Sequence, residues 1–534
     1  MRPSICIFTL VLVLCSCTSS KSIQKLPRTI GNQKTIFLRD YFGEDVSGKT
    51  LYFVKVNPSK VVVPASASSY VSSVEGISLF VSENQTLHDS NGYSFGSSSV
   101  RVPMINASAL KPVSVSVSSK EKSVYVPEVD RVLEKGKSRK DIFVDSSSSL
   151  SSYEKKSALL RAIGENCLVW ALDDDFSQET AEFLAKKFDE ICPKVREIFG
   201  HESDEYYSWY SSFQGWEKSP IAEKRVNIVV YDIGGGDFSA KDGVMGYFHS
   251  RDYFASAKRL SVQGYAYENE MLCASNEGKY IYLDASFAEE KPLVAVSTLA
   301  HEFQHMVSYG VKTISQGIST SAAHEEMMSM LCEDALQGAI GLSDSDSPEA
   351  RLPFFEARYA EIGLEYRESA DGYYDILSYA SNYAFGSWLV RNFGGIKLLS
   401  CMAKNSLSGF ECALSAVNSI STSSYSAREL LLLYAKACVL KSAQFSHKNS
   451  VSGKYPFKSI DLWNLEKDLQ KNTEYVEHGY YSYSGCTLFS PSSRFEIRPY
   501  GMTLVKVGKI TSSKACVTIS TGGKSDEVWE LFVE

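Results

Sequence analysis

Hydrophobic and polar positions change their period several times along this chain, and each change predicts a different kind of element. From 18 to 144, runs such as Val113-Ser114-Val115-Ser116-Val117 and Leu51-Tyr52-Phe53-Val54-Lys55-Val56 are read as alternating with period two. Pro, Gly and the pair Asn91-Gly92 interrupt them, a pattern that predicts short antiparallel strands joined by turns. Asp145 is followed by Ser146, Ser147, Ser148 and Ser149, a polar stretch with nothing to bury, which predicts a linker over 145–155. The period then lengthens: Phe183, Leu184, Phe188, Ile191, Val195 and Ile198 recur at helical spacings. Strand-like runs at 226–231 and 280–283 follow, separated by a Gly/Asp-rich loop over 232–246. Helical patterns occupy 293–309, 322–339, 373–392 and 427–440, and strand-like segments return after 451. No internal repeat interrupts the series. The fold class expected is α+β and multidomain, with a mixed helix-and-strand region at 156–450 between a β-rich N-terminal domain (18–144) and a β-rich C-terminal module (451–534).

The first 17 residues read differently. Arg2 supplies a positive end and 5–14 an apolar stretch too short to span a bilayer, as in an export signal. Leu14-Cys15-Ser16-Cys17 resembles the bacterial lipoprotein box, with Cys17 as the lipidated residue. Acyl chains there would tether the protein to a membrane without a spanning helix. The expected location is the bacterial cell envelope, on the periplasmic or cell-surface side. Of the twelve cysteines, Cys6, Cys15 and Cys17 belong to this segment; the other nine are scattered, form no C-x-x-C pair and are odd in number. Mostly free thiols are expected, with room for one or two bridges. The 534 residues carry 55 basic against 63 acidic side chains, a net charge of −8, with no long Lys/Arg tract. That balance argues against a nucleic-acid partner held through phosphates.

The chemistry concentrates in Leu299-Ala300-His301-Glu302-Phe303-Gln304-His305-Met306. On a helix, His301 and His305 share one face, where both imidazoles reach one cation. Glu302 projects nearby without being forced to ligate, as a carboxylate must to take a proton from metal-bound water. Leu293, Val296, Ala300, Phe303 and Val307 supply the apolar stripe of a half-buried helix. A third ligand is required, and a second helical segment, His324-Glu325-Glu326-Met327-Met328-Ser329-Met330-Leu331, starts within reach; Glu326 lies 21 positions after His305. That distance lets one helix end and another return to the same ion. Glu325 and His324 are also capable ligands, but adjacent helical residues diverge by about 100°, so only one can face the metal.

This pattern resembles the gluzincin clan of zinc metallopeptidases, and more closely the hyicolysin-type neutral metallopeptidases of bacteria. The resemblance spans about 166–395 and rests on Val169-Trp170-Ala171-Leu172-Asp173-Asp174, the 188–200 helix, 226–232, Gly246-Tyr247-Phe248, Ser275-Asn276-Glu277 before Tyr280-Ile281-Tyr282-Leu283-Asp284, and 297–306. It selects Glu326 as third ligand, although the family's usual Asn-Glu-Gly is replaced by Glu325-Glu326-Met327. Met330 stands where the family often has an acidic residue that orients a ligand histidine, so Glu333 or Asp334 is expected in that role. The resemblance implies one Zn²⁺ per chain and peptide-bond hydrolysis with Glu302 as proton carrier. Tyr379 and Tyr383 are candidate oxyanion donors, and both also fit a packing role. The strand at 279–284 is expected to be an edge that pairs with extended substrate, with Asn276 and Tyr282 as substrate-binding residues; for Asn276 an ordinary turn is an equal alternative.

Asp173, Asp174 and Asp175, or Asp232, Asp237 and Asp242, supply oxygens for Ca²⁺ but lack the spacing of a calcium loop. Gly234-Gly235-Gly236 lacks the Lys-Ser/Thr of a phosphate loop and reads as a turn. A rival to the enzyme is a catalytically idle surface lipoprotein that uses a metallopeptidase fold for adhesion or binding. A further alternative makes the region from 18 to about 145 a pro-segment of a latent zymogen.

Overall fold

The computed structural model describes residues 33–80, 132–145, 153–210, 215–233, 244–255, 273–369, 372–445, 454–465, 480–523 and 525–534. Cys17 and the rest of the export segment, the Asn91-Gly92 turn, the Val113 to Val117 alternation, the serine run after Asp145, Gly234 to Gly236, Asp237 and Asp242 lie outside the described residues.

The N-terminal strands are β1 (Gln33–Phe37), β2 (Thr50–Val56), β3 (Tyr70–Glu75) and β4 (Ile77–Leu79). The middle of the chain supplies β5 (Arg139–Asp145), β6 (Tyr153–Ile163), β7 (Cys167–Ala171), β8 (Glu205–Tyr210), β9 (Gly215–Pro220), β10 (Val226–Tyr231), β11 (Gly246–Phe248) and β12 (Tyr280–Asp284). The last segment supplies β13 (Met502–Ile510), β14 (Cys516–Ser520) and β15 (Val528–Val533). The longer helices are α1 (Gln178–Phe199), α2 (Pro292–Ser308), α3 (Ala322–Ile340), α4 (Leu352–Arg358), α5 (Tyr373–Asn392), α6 (Ile396–Lys404), α7 (Gly409–Ile420) and α8 (Ala427–Val439).

The two ends of the sequence interleave. One sheet has the order β15-β2-β13-β4 and another β1-β14-β3, all antiparallel. Strand β2 is thus enclosed by two C-terminal strands, and β14 by two N-terminal ones. The sequence reading keeps the two β-rich flanks apart because alternation tells a strand which face to bury, not which strand to pair with. Lys55, in the middle of β2, is fully buried; its Nζ donates to Ser68 Oγ at 2.9 Å and to the Ser69 carbonyl at 3.0 Å.

The central sheet has the order β11-β12-β10-β7-β6-β5, parallel across β12, β10 and β7 and antiparallel elsewhere. Strand β5 therefore belongs with the central sheet, not with the N-terminal domain that the alternation assigned it to. Val169, Ile228, Val230, Ile281 and Leu283 face the helices, while Trp170, Val229, Tyr231, Tyr280 and Tyr282 face the other side, where Ile142, Val144, Leu160 and Tyr247 join them. The sheet curls enough for its edge strands to touch: Tyr247 on β11 donates to Asp145 on β5 at 2.6 Å.

Helix α1 starts at Ser177, whose side chain accepts from the Thr180 amide, and buries Leu184, Phe188, Ile191, Val195 and Ile198 as their spacing predicts. Helix α2 is buried from Ala295 to Ser308, packed between the sheet, α1 and α3. Leu293, counted in its apolar stripe, instead lies at the exposed start of the helix. A π-helical turn, Tyr309–Ile314, continues it. The nine cysteines from Cys167 to Cys516 are free thiols.

Candidate metal centre

Helices α2 and α3 build the centre. Contacts run from Ser297 with Glu333, through His301 with Glu326, to Ser308 with Glu325, so the helices are antiparallel. His301 and His305, one turn apart, present their rings with centroids 4.8 Å apart. His301 Nε2 is 3.1 Å from Glu326 Oε2, and His305 Nε2 is 3.4 Å from Glu326 Oε1. Ligand atoms about 2.0–2.2 Å from a tetrahedral ion are about 3.4 Å from one another, so these separations fit a shared metal. Glu326 Oε1 is fully buried without a hydrogen-bond donor, an arrangement that a cation relieves. Among the described residues, these three form the one group whose ligand atoms all lie within 4.8 Å. Asp173, Asp174, Asp175 and Asp232 form no such group, and Asp174 pairs with Arg139 at 2.8 Å.

Each imidazole is oriented by its second nitrogen. His301 Nδ1 lies 2.8 Å from Glu333 Oε1, and Ser297 Oγ donates to Glu333 Oε2 at 2.8 Å. Glu333 thus stands two turns after Glu326, where the family's one-turn spacing would have used Met330. His305 Nδ1 lies 3.1 Å from Ser329 Oγ and 3.5 Å from Glu325 Oε2, and Ser308 Oγ donates to the other Glu325 oxygen at 2.9 Å. This assigns the adjacent candidates: Glu326 faces the cluster, Glu325 backs His305, and His324 turns away. His324 is buried with Met327, Leu364, Asn382, Phe385 and Phe410 around a small cavity, with neither ring nitrogen hydrogen-bonded.

The electrostatics follow from these contacts. Burial disfavours a charged His301, but Glu326 and Glu333 outweigh it and raise its pKa to about 9. His305 is likewise raised, despite burial, by Glu326 and Glu325. Burial opposes the Glu326 charge too, yet the two histidines hold its pKa down to about 2. The metal-free cluster is a carboxylate holding protonated imidazoles, and a cation would displace those protons. Glu302 is fully buried, and burial raises its pKa to about 7 against the pull of the histidines. Its Oε2 accepts from the Phe248 amide at 2.9 Å, and its Oε1 has no donor.

The structure separates the two tyrosines. Burial, and after it the charge of the nearby Glu326, raises the pKa of the Tyr379 phenol, and the Arg351 guanidinium lies 5.7 Å from its ring. Tyr383 donates to Asp334 at 3.1 Å, where Arg391 grips the same carboxylate with two bonds of 2.7 and 2.9 Å. Tyr383 belongs to that buried ion pair, and the structure does not bring it to the metal cluster.

Asn276 and Tyr282 are also elsewhere. Strand β12 lies inside the sheet, and the edge is β11. Tyr282 points to the face opposite the helices, where its hydroxyl donates to Asp252 at 2.7 Å. The Asn276 amide mimics a strand: it accepts from the Phe143 amide and donates to the Phe143 carbonyl, both at 2.8 Å. Ser297, Ser308, Ser329 and the Phe248 amide escaped the sequence reading. The serines on α2 left a signal, since 297, 301, 305 and 308 share one helical face; a backbone amide leaves none.

No protein-family model matches the chain. A stretch of 170 residues, 30% of the chain, is 29% identical to the neutral metalloprotease ShpI of Staphylococcus hyicus. The match covers 32% of that protein, so the chain spans about a third of the length of this curated relative. The chain is thus distantly related to a metalloprotease.

Proposed function

We propose that this protein is a zinc-dependent metallopeptidase that hydrolyses peptide bonds in protein substrates. The observation that carries the proposal is the buried His301–His305–Glu326 cluster with Glu302 beside it, in a chain related to a metalloprotease. Two imidazoles and a carboxylate would hold the ion with a fourth position open; zinc so bound lowers the pKa of water and polarises a carbonyl.

The chain's own residues do the rest. Glu302, with Oε2 held by the Phe248 amide, keeps Oε1 free to take a proton from the attacking water and deliver it to the departing amine nitrogen. Tyr379, near the ligand Glu326, would donate to the oxygen that gains charge. Among the described residues no strand pairs with the outer edge of β11, and with the Phe248 amide taken by Glu302 the Gly246 main chain and the Phe248 carbonyl would meet an extended peptide, a mode with little dependence on side chains that fits an endopeptidase. In the same reading Cys17 carries the lipid that tethers the enzyme to the cell envelope. Among the described residues no helix is long and apolar enough to cross a membrane.

The test is zinc content and casein hydrolysis by the chain from Thr18 onward, with and without chelator, beside Glu302→Gln. One zinc per chain, with activity lost in the variant and under chelation, is the expected result. Full activity in Glu302→Gln refutes the mechanism. Zinc bound without hydrolysis favours the idle adhesion or binding protein.

A further inference from the structure

Beneath β11, on the sheet face away from the metal cluster, lies a charged network that the reaction itself does not use. Arg251 is fully buried, and its two terminal nitrogens donate to Asp145 Oδ1 and Oδ2 at 3.1 and 2.9 Å. Tyr247 donates to the same carboxylate at 2.6 Å, lies 2.9 Å from the Tyr231 hydroxyl, and stacks on Tyr282 at a centroid distance of 4.4 Å. An ion pair in so dry a place is costly to assemble and costlier to break, since removing one partner strands the other charge. The pair joins the last residue of β5 to the turn just after β11, closing the curled sheet across its two edges.

The other side of β11 faces the cluster. The Asp284 amide donates to the Met245 carbonyl at 2.9 Å. In an antiparallel ladder the bonding side alternates, so Tyr247 turns its backbone to β12 and Phe248 turns its amide to the open edge. There the amide meets Glu302 Oε2 at 2.9 Å. Contact at Gly246 is as close: a Cβ there would lie 2.8 Å from the Tyr282 carbonyl and 2.9 Å from Thr298 Cγ2, one turn before Glu302. Strand β11 is therefore pressed onto α2, with its anchor on the opposite face.

We infer that Asp145, Arg251 and Tyr247 are positioning residues for the general base: they fix β11, and the Phe248 amide on β11 holds Glu302 in its productive orientation. The inference rests on the peptidase reading for its catalytic half; the strand anchor stands on geometry alone. It also makes Asp145, from the region preceding the serine run, part of the working enzyme. A zymogen cleavage that discarded β5 would take away the carboxylate that holds both terminal nitrogens of Arg251 and leave it only Asp252, whose Oδ1 lies 3.9 Å from Nε.

Two variants test this. Tyr247→Phe removes one hydroxyl and keeps the ring stack and the ion pair; Asp145→Asn keeps the shape and removes the charge. Hydrogen exchange over 244–250, read by mass spectrometry on zinc-loaded and zinc-free protein, reports the anchor without any catalysis. Loss of the hydrogen bond to the Asp145 carboxylate, together with the contact to Tyr231, predicts about ten- to a hundredfold faster exchange at Phe248 in Tyr247→Phe. On peptide substrate, kcat should fall by a similar factor while KM and zinc per chain hold. Unchanged exchange in both variants overturns the anchor. Faster exchange with unchanged kcat overturns its link to Glu302. A wild-type chain that binds zinc and hydrolyses nothing overturns the peptidase reading instead, and the exchange result still decides the anchor.

Discussion

Glu333 gives the sharpest test of how the centre is held. It touches no ligand position, but its carboxylate meets His301 Nδ1 at 2.8 Å and is itself fixed by Ser297. A hydrogen bond to a charged group contributes about 1.5–3 kcal/mol and a neutral one about 0.5–1.5. Glu333→Gln, which keeps the shape and loses the charge, should therefore weaken zinc binding by about 1–1.5 kcal/mol, or about five- to thirteenfold. Glu333→Ala also frees the ring to rotate and should cost about 10–100-fold. Competition with a chromophoric chelator at fixed pH reads both. The neighbouring carboxylate is the control. Asp334 pairs with the buried Arg391 instead, so Asp334→Asn should lower stability, by up to about 3–5 kcal/mol, with little change in the zinc affinity of the folded fraction. Wild-type zinc affinity in Glu333→Ala, or equal losses in the two series, would refute the assignment.

Tyr379→Phe should lower kcat on peptide substrate by about ten- to a thousandfold if it supplies the oxyanion donor, whereas Tyr383→Phe should cost about 1 kcal/mol of stability and leave kcat within about twofold; the reverse pattern in steady-state kinetics and denaturant titration would sink both roles. Burial pushes the Lys55 ammonium down to about 8 in the folded chain, below its ordinary 10.5. The unfolded chain thus binds more protons between those values, so this residue makes stability rise with pH from about 8 to 10.5 and contributes a constant penalty below that window. Lys55→Met should remove that increment from urea-denaturation midpoints measured across the window; an unchanged slope would show the lysine untitrated there. A chain lacking residues 18–80 loses β1 to β4, leaving β13, β14 and β15 without their partners, and should fail to unfold cooperatively in calorimetry; a soluble, cooperative truncated chain would favour a removable pro-segment.

The sequence by itself determined what depends on near neighbours. The i, i+4 spacing of His301 and His305 puts both rings on one helical face wherever that helix packs, and the recurrence of Leu184, Phe188, Ile191 and Val195 decides the buried face of α1. The central strands at 226–231 and 280–284 were equally legible, as continuous apolar runs with both faces covered. Tertiary structure decided everything that rests on contacts between distant segments. The resemblance selects Glu326, but that it faces the cluster while Glu325 backs His305, that Glu333 rather than Asp334 meets His301, and that Tyr379 rather than Tyr383 lies by Glu326 follow from the rotation and offset of α3 and α5 against α2, which no local pattern encodes. The edge of the sheet moved from β12 to β11 because three residues, Gly246 to Phe248, are too few to show a period. The two β flanks became partners because hydrogen-bonding edges of β2 and β14 are completed by strands more than four hundred residues away, and a strand's sequence specifies its faces without naming what lies beside it.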